Sequence, residues 1–176
     1  MKFEINTRKI ALLSLLSAAA IASNYLLIGV ANVKFMDLIV FTAGFIMGPM
    51  MGAITGMMVW LVYGTINPFG FSLPILFATM TGEAVFGIVG GYYGKNQQVN
   101  GLSVNMWTAF IGFIVTFFYD VFTNIISAYT VGIPISIGLV TGIPFMLAHV
   151  GSNTVFFGVG FRPLSSSINK VLGEKI

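Results

Sequence analysis

Apolar residues run along this chain in long blocks broken by short polar stretches, with neither the strict alternation of a half-buried strand nor a one-sided helical stripe. Crossing the hydrocarbon core of a bilayer takes roughly 20 apolar residues in a helix. The first such block covers residues 9–30 and carries no charge after Lys9. The next, 35–66, is too long for one span and breaks at Gly48-Pro49, which gives a short second span at 35–48 and a third at 50–66. A turn at Asn67-Pro68-Phe69-Gly70 precedes a fourth span at 72–93. The most polar interior stretch, 94–101, leads to a fifth at 104–131. Gly132-Ile133-Pro134 then leads to a sixth at 135–160, with Pro144 inside it, and the polar tail from Arg162 is expected to fringe the surface.

This pattern predicts an all-α polytopic membrane protein, a bundle of six transmembrane helices in a single domain over 1–176. A broken or re-entrant arrangement at the boundary between the second and third spans would also satisfy the backbone if buried in protein. Composition agrees: 57% of residues are hydrophobic and 7% charged, against about 25% charged in a soluble domain.

Charge adds orientation. The net charge of +3 comes from scattered basic residues without the basic-aromatic interleaving of a nucleic-acid surface. Six spans put both ends on one side, together with Lys2, Arg8, Lys9, Lys95, Arg162, Lys170 and Lys175, and leave only Lys34 on the other. Both termini are therefore expected to be cytoplasmic in a cell membrane. The loops at Lys34, Asn67 and Gly132 are expected to face outward.

Polar groups at membrane depth cost on the order of 2.5–3.5 kcal/mol each and persist where they face an interior or a cavity. Glu83, Asp120 and His149 sit near the middles of the fourth, fifth and sixth spans. Asn124 and Asn153 lie one turn beyond Asp120 and His149, with Thr116, Thr123 and Ser152 nearby, and Thr79 one turn before Glu83. Glu83, Asp120, Asn124, His149 and Asn153 are therefore candidate substrate-binding residues, with a purely structural acid-histidine network or a proton relay as alternatives. Asp37, beside Lys34, reads by default as a surface or capping residue. Trp60, Tyr63, Phe69, Tyr25 and Tyr129 fall toward the outer ends of spans and read as an interfacial belt or as stacking surfaces for a planar ligand.

Small residues mark helix contacts. Gly44, Gly48, Gly52 and Gly56 recur every four positions, as do Gly87/Gly91 and Gly90/Gly94, a spacing that lets backbones approach closely within the chain. Ser14, Ala18 and Ala22 make a similar stripe on the first helix, suited to the bundle or to a partner.

Catalytic signatures are absent, and no catalytic residue, cofactor or metal ligand is assigned. The chain has no cysteine and one histidine, which removes thiolate chemistry and the paired-histidine zinc motif. Gly90–Asn96 falls short of a nucleotide-binding loop in glycine spacing and lacks its Ser or Thr.

The whole chain resembles the substrate-binding (S) components of energy-coupling factor (ECF) transporters. The resemblance is carried by six spans, a Ser14-Ala18-Ala22 stripe where that family has an AxxxA-type coupling motif, and the runs Tyr119-Asp120-Val121-Phe122-Thr123-Asn124 and His149-Val150-Gly151-Ser152-Asn153. It implies capture of a vitamin or similar micronutrient from outside and docking through the first helix onto a transmembrane coupling subunit driven by two ATPase subunits. It also implies that the five polar residues line the pocket and that the loop from Asn32 to Asp37 serves as a lid. Two acids and a histidine in the pocket point to a cationic or hydrogen-bond-donating substrate, and the aromatics to a planar one. A stand-alone secondary or proton-coupled transporter remains an alternative, as does an intramembrane enzyme using Glu83, Asp120 and His149.

Overall fold

The computed structural model describes residues 7–95 and 104–172, and these are helical with no strand among them. Six helices follow in order: α1 (Thr7–Leu26), α2 (Met36–Met47), α3 (Pro49–Ile66), α4 (Leu73–Gly94), α5 (Met106–Val131) and α6 (Ile135–Leu172). All but α2 are long and apolar enough to cross a bilayer, which makes the chain a multi-pass membrane protein.

Helix α2 departs from its neighbours in length and in burial. Its 12 residues reach about 18 Å, short of the roughly 30 Å hydrocarbon core, and all of them are buried. It is packed among α1, α3, α4 and the last part of α6. The expected break lies at Gly48, whose φ of 97° is a left-handed geometry that favours glycine. Pro49 then opens α3 at a position where its missing N–H costs nothing.

Helix α6 runs past the expected end of the sixth span. A π-helical turn at Phe156–Gly160 carries it on through Leu172. Two contacts with the start of α5 satisfy that widened turn. Thr108 donates to the Phe157 carbonyl at 2.8 Å, and the Asn105 amide to the Gly158 carbonyl at 2.8 Å. Just beyond it, Phe161 is fully buried, with its ring edge-on to Phe41 and Phe45 of α2 at 5.4 and 5.0 Å. Leu164, Ile168 and Leu172 continue that apolar stripe along the core. The tail from Arg162 is thus an amphipathic helix packed on α2, because helical spacing gathers its few apolar residues on one face. Arg8 donates to the Leu172 carbonyl, so the two ends of the described chain lie together.

The glycine stripes pack the chain against itself. Gly44, Gly52 and Gly56 of α2 and α3 lie against the backbone of α4 at Glu83 and Gly87, and Gly90 and Gly94 lie against the carbonyls of Phe41 and Phe45. A Cβ at Gly87 would collide with the backbone of Gly52, and one at Gly56 would come within 2.6 Å of the Glu83 carbonyl. Without a hydrophobic drive between helices in lipid, such close approach supplies the packing. Gly87→Ala should therefore force α3 and α4 apart and cost about 1–3 kcal/mol. Gly151→Ala, where nothing lies within 4 Å of the added carbon, should be near neutral. Thermal unfolding of the two variants in detergent, followed by circular dichroism, measures the difference.

Candidate functional site

Helices α2, α5 and α6 converge on His149. Its Nδ1 lies 2.9 Å from Asp120 Oδ1 and its Nε2 lies 2.6 Å from Asp37 Oδ2. Asn153, one turn further along α6, donates to the same Asp37 oxygen at 2.6 Å and to Thr116 of α5 at 2.9 Å. His149 and Asn153 are fully buried, and Asp37 and Asp120 are 1% and 4% exposed. Each ring nitrogen faces a carboxyl oxygen, so the imidazole is held between two acids, while Asp37 Oδ1, Asp120 Oδ2 and Asn153 Oδ1 have no hydrogen-bond partner among the described residues.

Asp37 is therefore neither a surface residue nor a cap. Its place at the start of α2 is an outer one along the sequence. However, α2 is short and enclosed, which brings the carboxyl between α5 and α6 rather than into solvent.

Glu83 belongs to the same region through other partners. It is fully buried and accepts from the Trp60 indole N–H of α3 at 3.1 Å. The Lys34 ammonium lies 5.2 Å from the centroid of Trp60 and 5.3 Å from that of Tyr119, while Tyr119 meets the His149 ring edge-on at 5.7 Å. Lys34, Trp60 and Tyr119 thus link the Glu83 and His149 centres. Asn124 stands apart, half-buried with its amide against Gly142 of α6. Thr123 and Ser152 spend their hydroxyls on carbonyls of their own helices.

A cavity of about 470 Å³ opens beside this cluster, between the loop joining α1 to α2 and the turn joining α3 to α4. None of Glu83, Asp120, Asn124, His149 and Asn153 lines it; Lys34, Trp60 and Thr79 do. The rest of its wall includes Asn24 of α1, Asn32 and Tyr63, with Asn67, Phe69 and Phe71 along the turn. Tyr25 pins this end by donating to the Ile66 carbonyl at 3.2 Å, and Asn32 by donating to the Phe145 carbonyl at 3.0 Å.

Four wall groups have no hydrogen-bond partner among the described residues: the Asn24 side-chain amide, the Tyr63 and Ser72 hydroxyls and the Lys34 ammonium. Asn24 and Tyr63 are only 4% and 7% exposed. Neither is among the buried side-chain atoms left without a partner, so their polar ends open to the cavity and are available to a molecule within it. Trp60 and Tyr63 are thus buried wall residues rather than an interfacial belt, whereas Tyr129 and Phe69 are exposed. Asn24 escaped notice because it reads as one polar residue near a helix end, and Lys34 because a lone cation between spans reads as a topology signal.

No family model, curated protein or solved structure matches the chain. The site therefore stands on its own chemistry. Asp37→Ala would strand His149 Nε2 and the Asn153 amide in a dry interior, at a cost of about 3–5 kcal/mol. Asn124→Ala should cost under about 1 kcal/mol. Unfolding midpoints of the two variants in detergent test this ranking.

Proposed function

We propose that the chain is the substrate-capture subunit of an ECF-type importer. It would take a vitamin-like small molecule from outside the cell membrane into the cavity between the α1–α2 loop and the α3–α4 turn. The observation that carries the reading is the cavity itself: a space of ligand size at one end of a membrane bundle, walled by aromatic faces and unpaired polar groups. The loop that contributes Asn32 and Lys34 forms part of its wall, a position suited to a lid. In this reading the His149 cluster is the rigid floor that positions Lys34 and Trp60, and the capture residues are Asn24, Lys34, Trp60 and Tyr63.

Docking is assigned to α1. Ser14, Ala18 and Ala22 are all exposed, so the bundle leaves that stripe free for another helix. The partner would be a transmembrane coupling subunit with two ATPase subunits, and the chain itself would be no enzyme. Both termini would be cytoplasmic, with the cavity mouth outside; the contact of Arg8 with the Leu172 carbonyl, which brings the two described ends together, and the distance of Lys34 along the chain from the other basic residues support this reading.

Mass spectrometry of small molecules retained by the detergent-purified protein tests capture. A bound compound that is lost in Trp60→Ala but kept in Ala18→Leu is expected, whereas Ala18→Leu should abolish co-purification with the ATPase module. Uptake by proteoliposomes holding this chain alone would overturn the proposal in favour of a secondary transporter. Because the native chain has no cysteine, single-cysteine labelling tests orientation cleanly. Thr130→Cys should react with a membrane-impermeant maleimide on intact cells, and Lys170→Cys only after permeabilisation.

A further inference from the structure

The cavity wall is unbalanced in its chemistry. Lys34 is its single charged group, and no carboxylate lines it. Among the described residues, no oxygen bonds the Lys34 ammonium and no carboxylate lies within 4.0 Å of it. Asp37 and Glu83 are close enough to feel its charge through space. However, Asp37 Oδ2 is bonded to His149 and Asn153 and Glu83 Oε2 to Trp60, and the remaining oxygen of each carboxyl is buried away from the cavity without a hydrogen-bond partner. The aromatic faces of Trp60 and Tyr119 hold the ammonium by cation–π attraction and leave its N–H donors unspent. Asn24 and Tyr63 add two more unpaired polar groups, each able to donate, and Trp60 and Tyr63 meet edge to face at 5.5 Å.

From this we infer the substrate class, resting on the cavity being the capture site. The ligand is a flat aromatic or heteroaromatic molecule that carries no positive charge and presents a carboxylate or carbonyl edge to Lys34. Its ring lies against Trp60 or Tyr63, and its oxygens accept from Lys34 and from the Asn24 amide. A cationic ligand meets Lys34 with no wall carboxylate to offset it. The acids and histidine that suggested a cationic substrate are sealed away from the cavity.

Three probes that share one ring separate charge from shape: indole-3-acetate, indole-3-acetamide and tryptamine, titrated calorimetrically into the purified protein. We expect the acetate and the acetamide to bind at least about tenfold more tightly than tryptamine. In Lys34→Gln that gap should narrow or reverse, and Lys34→Arg should restore it. Tryptamine binding as tightly as the other two, with Trp60→Ala abolishing all three, would overturn the substrate class and leave the capture site standing. Failure of all three to bind, or affinities indifferent to Trp60→Ala, would overturn the capture site as well. The wild-type series decides the matter even if the Lys34 variants do not fold.

Discussion

The rest of the structure depends on one buried contact, His149 held between Asp37 and Asp120. A carboxylate or an imidazolium alone in a membrane-spanning bundle would cost several kcal/mol, and only close, hydrogen-bonded pairing makes burial tolerable. That demand sets geometry. The 2.6 and 2.9 Å contacts require the start of α2, the middle of α5 and the middle of α6 to meet at one point. Asn153 repeats the tie one turn along, so α6 cannot rotate without losing both. Apolar packing alone specifies orientation weakly in lipid, where every helix face is greasy, and a polar lock of this kind is what removes the freedom.

A second constraint works with the first. Helix α2 is too short to span and too enclosed to face lipid, so it serves as the filling around which longer helices close. Glycines make that possible, since α4 approaches α2 and α3 at backbone distance through Gly44, Gly52, Gly87 and Gly90. At one end of α2 the Phe41, Phe45, Tyr93 and Phe161 rings seal the core. At the other end Asp37 enters the polar cluster and Lys34 reaches toward the cavity. The same short helix is thus anchored by edge-on and tilted ring contacts at its C-terminal end and by charge at its N-terminal end.

Much of this was legible before any coordinates. Hydropathy located the start of every helix, and the end of all but α6, within a few residues, and the Gly48-Pro49 and Gly132-Ile133-Pro134 breaks fall where the chain turns. Pairing of His149 with an acid was legible as one alternative, but not which of Asp120 and Glu83 would reach it. What sequence could not give was depth. Asp37 and Glu83 are both acids in apolar surroundings, yet their partners follow from tertiary enclosure rather than from spacing along a helix. The continuation of α6 beyond residue 160 was hidden for a related reason. Hydropathy averages over all faces, and the stripe from Phe161 to Leu172 is apolar on only one.

The separation between cluster and cavity bears on how such a bundle could be both stable and receptive. Had Asp37, Asp120 and His149 lined an open cavity, water would weaken the pairing that holds α2, α5 and α6 together, since electrostatic contacts lose strength as the local dielectric rises. With those groups sealed, the lock is untouched by whatever occupies the space beyond. Lys34 and Trp60 belong to both regions: each lines the cavity, and each touches the cluster through Tyr119 or Glu83. Through them, filling the cavity would be felt directly by the floor. A ligand oxygen that draws the Lys34 ammonium outward shifts the charge that Asp37 and Glu83 sense. The loop carrying Lys34 leads within three residues to Asp37, so occupancy and the register of α2 are tied by a short stretch of chain. That stretch is where a binding event in the cavity has the most direct mechanical and electrostatic route into the helix bundle.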